Sequence, residues 1–218
     1  MAVAIAKQSP DNLILASRTL SKLENVKNSV LQQHPDVPIN LVQIDLGSRT
    51  SIVNAASTIN SLVKHLNVVI NNAAVVSSKR IETEDGLETS FGTNHIGHFL
   101  LTNLLIRLLR SGAKTFVQPF GTRIVNVSSL GYRLSPIRFH DPNFQGLEIP
   151  FEEEPRAFKD SFSDGKYYHG LVAYGQSKTA NILHAVSLNK KYNSVGVKAF
   201  AVHPGCKYSA IKIMVQRH

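Results

Sequence analysis

The sequence predicts an α/β fold built on a doubly wound parallel sheet. Short apolar runs alternate with longer amphipathic stretches along the chain, which is the pattern of repeated βαβ units. At 218 residues, 43% of them hydrophobic, the chain has the size of one domain with a substantial core. No internal repeat is visible, so we expect no second domain.

The predicted elements follow from this alternation in chain order. Short apolar runs give the strands, which we place at Leu13–Ala16, Asn40–Ile44, Asn67–Ile70, Arg123–Val127 and Val197–Val202. Stretches with apolar residues at helical spacing give the helices, which are Leu20–Gln33, Thr50–His65, Phe91–Arg110 and one within Lys166–Tyr192. The long segment between Ser129 and Tyr174 contains prolines and an acidic run, and we expect a solvated loop there.

The composition argues against several classes of protein. No run reaches 18 apolar residues, so no transmembrane segment is expected, and the apolar start at Met1–Ala6 is too short for a signal peptide. One cysteine, Cys206, excludes an internal disulfide framework and fits a reducing compartment, so we expect a cytoplasmic protein. The net charge of +9 comes from scattered basic residues. We therefore expect an anionic cofactor and no nucleic acid.

Tyr174 and Lys178 belong to the sequence Ala-Tyr-Gly-Gln-Ser-Lys at residues 173–178. On a helix, a spacing of four places both side chains on one face, one turn apart. A fixed ammonium close to a phenol favours the phenolate, which lets the tyrosine exchange protons near neutral pH. The same spacing also describes a surface helix pair worth roughly 0.2–0.5 kcal/mol. The neighbouring motifs therefore decide between these interpretations.

Four further motifs accompany this pair. They are Asn-Asn-Ala-Ala (71–74), Thr-Asn-His-Ile-Gly-His-Phe (93–99), Ile-Val-Asn-Val-Ser-Ser (124–129) and His-Pro-Gly (203–205). In this order they resemble the short-chain dehydrogenase/reductase family, most of all its retinol-dehydrogenase-like and WW-domain-oxidoreductase-like branch. The resemblance runs from about Met1 to Gly205. It implies an oxidoreductase with an NAD(P)-binding Rossmann-type domain at residues 1–205, followed by an atypical tail at 206–218.

The resemblance also implies catalytic roles. Tyr174 is expected to be the general acid in carbonyl reduction and the base in alcohol oxidation, with Lys178 favouring its ionised form. Ser129 is expected to hydrogen-bond the oxygen of a small carbonyl or alcohol substrate, and the family pattern selects it over its neighbour Ser128.

A fourth catalytic position and two histidines lie in the same earlier motif. Asn94 matches the family residue whose backbone helps to hold a water for proton relay. His95 and His98 are three residues apart, but no third ligand accompanies them. We therefore expect core or helix-face histidines and no metal.

The cofactor is predicted from the residues after the Leu13–Ala16 strand. An acid there would accept a hydrogen bond from the 2′-hydroxyl of NAD, but the chain offers Arg18 instead. A guanidinium can bind a 2′-phosphate with two charge-assisted hydrogen bonds, so we expect NADP(H). Besides Tyr174 and Lys178, the resemblance implies cofactor contacts from Asp45 to the adenine amine, Leu46 beside it, Asn71 at the adenosine ribose and Ser209 at the carboxamide.

Two parts of the family pattern are not found in this sequence. The first glycine is Gly47, so no glycine-rich turn that would meet a pyrophosphate precedes the Leu13–Ala16 strand. We therefore expect a sheet without its first strand and its C-terminal strand, and a gap between the Leu13–Ala16 and Asn67–Ile70 strands. The alternative function is then an inactive fragment or a non-catalytic protein of this family. The sequence leaves open the substrate, and also whether the chain forms the homodimer that many relatives form through their two long helices.

Overall fold

The computed structural model describes residues 1–115, 121–162, 167–205 and 212–216. Within them, the strands are β1 (Asn12–Ser17), β2 (Ile39–Gln43), β3 (Val68–Asn71), β4 (Thr122–Val127), β5 (Val197–Val202) and β6 (Lys212–Gln216). The α-helices are α1 (Ala2–Ala6), α2 (Leu20–Leu31), α3 (Arg49–Leu62), α4 (Thr89–Phe91), α5 (Gly97–Thr115) and α6 (Gly170–Tyr192). Most bounds differ from the predicted ones by only a few residues.

The strands form one sheet in the order β2-β1-β6-β3-β4-β5. β1 pairs with β2, β3 with β4, and β4 with β5, all in parallel. Parallel strands need crossover connections, and the helices that supply them cover the two faces of the sheet. The predicted fold class, a doubly wound Rossmann-type α/β sheet, is confirmed.

The predicted gap between β1 and β3 is wrong, because β6 lies between them. β6 runs antiparallel to both neighbours, with Met214 opposite Ile14 on one side and Val69 on the other. An empty position there would leave backbone amides and carbonyls unpaired in the centre of the sheet. The stretch at 206–218, which we expected to be only a tail, thus contributes the strand that closes the sheet.

The side chains of β1 show how the sheet separates two layers of core. Leu13 and Leu15 pack with α1 and α2 on one face. Ile14 and Ala16 pack with α3, α5 and α6 on the other face. This division follows from the two-residue repeat of a strand. Because helices cover both faces, a ligand reaches the parallel strands at their carboxyl-terminal edge.

The helix predicted at Phe91–Arg110 is divided into three parts. α4 is followed by a π-helical turn at Gly92–Ile96, and α5 begins at Gly97. Single π-helical turns inside α-helices are rare and often lie at functional sites. At Gly97 a methyl group would collide with the carbonyl oxygen of Leu46. The glycine therefore allows the start of α5 to pack directly against the loop that follows β2.

Candidate active site

The loops after the parallel strands bring predicted site residues to one edge of the sheet. Arg18 follows β1, Asp45 follows β2 and Ser129 follows β4. Two helical segments supply the rest: Asn94 lies in the π-helical turn, and Tyr174 lies near the start of α6, which packs against β4 and β5. This edge is where open α/β sheets bind their ligands.

Lys178 is held close to Tyr174 inside the protein. Its Nζ lies 5.3 Å from the centroid of the Tyr174 ring and donates a hydrogen bond of 2.9 Å to the carbonyl oxygen of Val127. The lysine is only 2% exposed, and this burial lowers its pKa to about 8. At neutral pH the amine is therefore still mostly protonated, so a positive charge lies beside the phenol.

Ser129 and the Tyr174 ring both lie close to Gly131. The N–H of Gly131 donates a hydrogen bond of 3.1 Å to Oγ of Ser129. A Cβ atom at Gly131 would lie 3.1 Å from Cε1 of Tyr174 and 3.5 Å from that Oγ. Since Gly131 uses a lone pair of the hydroxyl, the Ser129 proton remains for another acceptor. The hydroxyl of Ser128 is engaged instead, since it donates to the carbonyl oxygen of Lys178 at 2.9 Å.

The side chain of Asn94 joins the loop after β3 to α6. Its Oδ1 accepts from the N–H of Val75 at 2.7 Å, and its Nδ2 donates to the Val75 carbonyl oxygen at 2.9 Å. Nδ2 also donates to Oγ of Ser177 at 3.1 Å, and that hydroxyl donates to the carbonyl oxygen of Tyr174 at 2.7 Å. Sequence reasoning missed Ser177, although its spacing of three from Tyr174 places it on the same turn. The backbone carbonyl of Asn94 lies 2.8 Å from Nδ1 of His98.

A cavity of about 90 Å³ lies beside the ends of β1, β2 and β3. Arg18, Lys22, Asp45 and Leu46 line it. Thr19 is the N-cap of α2 but makes no side-chain hydrogen bond there, so the helix presents N–H groups near both cations. Two cations at a helix N-terminus suit a phosphate group, and these residues therefore fit the 2′-phosphate end of NADP(H). Lys22 was not predicted, although its spacing of four from Arg18 was a signal.

Asp45 hydrogen-bonds the backbone of its own loop, whereas Asn71 hydrogen-bonds side chains of two other elements. Oδ1 of Asp45 accepts from the N–H of Gly47 at 2.8 Å, so the carboxylate orders its own loop at the cavity. Nδ2 of Asn71 donates to Oγ1 of Thr102 at 3.0 Å and to Oδ1 of Asn126 at 2.8 Å. The Asn71 side chain thus braces β3 against α5 and β4, and the structure does not bring it to the cavity.

Ser209 and Cys206 lie outside the described residues.

The two histidines of the Asn94 motif do not form a metal site with other described residues. Burial lowers the pKa of His95 to about 4, against a smaller opposing effect of a hydrogen bond with Asn181, so this histidine is neutral at physiological pH. Within the described ranges, no group of three or more His, Cys, Asp or Glu side chains is arranged to hold a metal. No helix in that part of the chain is long and apolar enough to cross a membrane.

Comparison with known protein families decides the assignment. Residues 1–137 match the family model described as short chain dehydrogenase. The chain belongs to this family. The prediction made from the motifs is therefore confirmed, and retinol dehydrogenases are among the relatives of this short-chain dehydrogenase.

Three curated relatives show the range of similarity. Oxidoreductase fscI of Fusarium equiseti is 37% identical over 99% of this chain and 84% of its own length. The chloroplastic short-chain dehydrogenase TIC 32 A of Brassica napus is 36% identical over 89% of this chain and 55% of its own length. Retinol dehydrogenase 12 of Mus musculus is 35% identical over 90% of this chain and 54% of its own length. The chain thus spans about half the length of the last two relatives.

Solved structures agree on the fold. The NADPH-bound carbonyl reductase from chicken fatty liver matches with a TM-score of 0.63 at 20% identity, over 94% of this chain and 75% of that one. The carbonyl reductase Sniffer of Caenorhabditis elegans matches with a TM-score of 0.65 at 18% identity, over 94% of this chain and 76% of that one. At these identities the likeness supports the Rossmann-like architecture and nothing finer.

Proposed function

We propose that this short-chain dehydrogenase is an NADP(H)-dependent oxidoreductase that interconverts a carbonyl and an alcohol. The observation that carries the proposal is the buried amine of Lys178 beside Tyr174, together with the Ser129 hydroxyl and the Tyr174 ring close to the same residue, Gly131. The names of the relatives, an oxidoreductase and retinol dehydrogenases, support the same class of reaction.

Each of these residues has a distinct task. In the direction of reduction, Tyr174 donates a proton to the carbonyl oxygen while a hydride joins the carbonyl carbon, which gives the alcohol. NADP(H), when bound, supplies that hydride. The hydroxyl of Ser129 donates a hydrogen bond to the same oxygen and stabilises its developing negative charge. The positive charge of Lys178 stabilises the phenolate that remains on Tyr174.

The cofactor would be held at both ends of the site. Arg18 and Lys22 would bind the 2′-phosphate at the start of α2, and Asp45 and Leu46 would flank the adenine. An ammonium has three donors, and Lys178 uses one on Val127, so it retains donors for the hydroxyl groups of the nicotinamide ribose. Similar folds have been solved with NADPH and with NADP bound.

A second candidate is a protein of this family that no longer catalyses the reaction. One observation favours it: the antiparallel β6 occupies the centre of the sheet. β6 contains no glycine, so it does not supply the glycine-rich turn whose backbone N–H groups would bind the pyrophosphate. The intact set of Ser129, Tyr174 and Lys178 favours the enzyme, which we therefore rank first.

We further propose a homodimer and a cytoplasmic location. Apolar side chains on α5 and α6, including Phe99, Leu183 and Val186, are each nearly half exposed, which suits burial against a second copy of the chain. The single cysteine fits a reducing compartment. Sedimentation velocity, at concentrations spanning the micromolar range, would measure the dimer directly, and a single monomeric species throughout would exclude it.

The experiment that tests the function is a direct search for turnover. The protein is incubated with NADPH or NADH and a panel of short, aromatic, retinoid, steroid and lipid carbonyls, and alcohol formation is measured. We expect alcohol from at least one carbonyl, faster with NADPH than with NADH, and loss of the product in Lys178→Met. Absence of product from the whole panel, in protein that binds NADPH, would favour the non-catalytic candidate.

A further inference from the structure

The segment Val75–Ser77 connects the two halves of the proposed site. Val75 lines the same cavity as Arg18. The side chain of Asn94 hydrogen-bonds both the backbone N–H and the backbone C=O of Val75. Ser77 reaches the N-terminus of α6, where a methyl group at Gly170 would collide with its carbonyl oxygen. Any displacement of this short segment therefore changes the wall between the nucleotide cavity and the helix that carries Tyr174.

Tyr168 fixes the far end of this segment. Its hydroxyl lies 3.1 Å from the carbonyl oxygen of Ser77 and 3.1 Å from Oε1 of Glu88. The phenol can donate its one proton to either acceptor. Both acceptors are thereby tied to Tyr168, which lies two residues before the start of α6 at Gly170. The ring itself is held edge-on by Phe144, with centroids 5.7 Å apart.

Glu88 connects the Tyr168 hydroxyl to the helical segment that contains Asn94. Its carboxyl group is fully buried, and it accepts hydrogen bonds from the N–H groups of Ser90 at 2.9 Å and Phe91 at 2.7 Å. These are the second and third N–H groups of α4, which leads directly into the π-helical turn. A buried carboxylate needs donors around it, and the Tyr168 hydroxyl is one of them.

The phenol of Tyr168 keeps its proton over the physiological range. Burial raises its pKa, and the adjacent charge of Glu88 and the hydrogen bond to that carboxylate raise it further. A hydroxyl that stays protonated remains a hydrogen-bond donor, and only a donor can hold the acceptors on Ser77 and Glu88.

We propose that Tyr168 is a positioning residue, which aligns the segment Val75–Ser77 and the helix of Asn94 with the N-terminus of α6. It is not expected to touch substrate or cofactor. Its effect on catalysis rests on the proposed function, but its effect on the position of the segment does not. Without the hydroxyl, Ser77 and Glu88 lose the one donor that they share, and the wall of the site can shift.

The test compares Tyr168→Phe, which removes only the hydroxyl, with Tyr167→Phe, its half-exposed neighbour. Hydrogen–deuterium exchange is followed by mass spectrometry on fragments that contain the amides of Val75, Ser90 and Phe91. We expect these amides to exchange roughly three- to tenfold faster in Tyr168→Phe, as the loss of one hydrogen bond predicts. Tyr167→Phe should match the wild type.

A second readout uses turnover. The ratio of kcat/KM for a bulky aromatic aldehyde to that for propanal is independent of the folded fraction, so general destabilisation leaves it unchanged. We expect this ratio to shift at least about threefold in Tyr168→Phe and in Glu88→Gln, and to stay constant in Tyr167→Phe. Faster exchange in a protein without any reductase activity would support the positioning role and reject the proposed function.

Two outcomes would overturn the proposal. One is exchange at the Val75, Ser90 and Phe91 amides that is unchanged in Tyr168→Phe. The other is faster exchange throughout the chain together with a constant selectivity ratio, because Tyr168 would then be a general stabiliser and would not position this wall.

Discussion

At the scale of single residues, Lys178 shows how burial sets the properties of the site. The ordinary lysine pKa of 10.5 falls to about 8, and desolvation is the cause. The charge beside Tyr174 therefore costs stability in the folded protein before any cofactor binds. This cost is present in full below pH 8, where the folded lysine is charged, and it disappears as the pH rises toward 10.5.

Lys178→Met should remove this pH dependence. Between pH 8 and 10.5 the folded wild type has released the proton that the unfolded chain still binds, so its free energy of unfolding rises with pH, by up to roughly 3 kcal/mol. Denaturant unfolding of wild type and variant at several pH values measures the difference. Lys190→Met, on an exposed part of the same helix, controls for the loss of one charge. Curves for wild type and Lys178→Met that run parallel across this window would contradict the account.

The cations at the start of α2 should select the cofactor. Arg18→Ala is expected to raise the Kd for NADPH roughly 10- to 100-fold with little effect on NADH, because it removes charge-assisted hydrogen bonds to the 2′-phosphate. Arg18→Asp should move the preference toward NADH, since a carboxylate accepts from a 2′-hydroxyl. Titrations of both cofactors test this, with Lys27→Ala, elsewhere on α2, as the charge-matched control. An unchanged preference in Arg18→Asp would mean that the guanidinium has no part in binding.

At the scale of elements, the sequence predicted most of the fold but not its irregularities. β5 has the predicted bounds, Val197–Val202, because a short apolar run between turns specifies a strand locally. The π-helical turn at Gly92–Ile96 escaped prediction, since one extra residue per turn barely changes the apolar spacing. β6 escaped because its place between two strands distant in sequence is decided by tertiary pairing. Lys22 and Tyr168 also gain their roles from neighbours that the sequence does not identify.

A proline within β6 tests whether this strand closes the sheet. Met214 is paired with residues of both β1 and β3, and proline there would remove an N–H and break the ladder at the centre of the sheet. We expect Met214→Pro to lower the free energy of unfolding by roughly 3 kcal/mol or to abolish cooperative unfolding. Denaturant melts measure this, and His218→Pro, placed after the strand, is the control. Equal midpoints for Met214→Pro and wild type would show that β6 is dispensable.

At the scale of the whole molecule, the Rossmann-type architecture brings the proposed site residues to one edge of the sheet. The parallel strands end there, α6 brings Tyr174 and Lys178 over the end of β4, and the loop after β3 is held by Asn94. The unusual feature is the antiparallel β6 at the centre. It pairs the interior strand edges, but it does not supply the glycine-rich turn that would bind a pyrophosphate. The proposed proton-transfer residues Ser129, Tyr174 and Lys178 are all present at this edge, and Arg18 and Lys22 line the cavity proposed for the 2′-phosphate.

The most direct test of this account is the effect of Tyr174→Phe on turnover and on cofactor binding, measured in the same preparation. The change removes only the transferable proton, so kcat for carbonyl reduction should fall at least about 100-fold, while the Kd for NADPH should stay within roughly twofold. Tyr192→Phe, at the other end of α6, should retain wild-type kcat. A Tyr174→Phe variant that retains most of the wild-type kcat would contradict the assignment of Tyr174 as the acid and base.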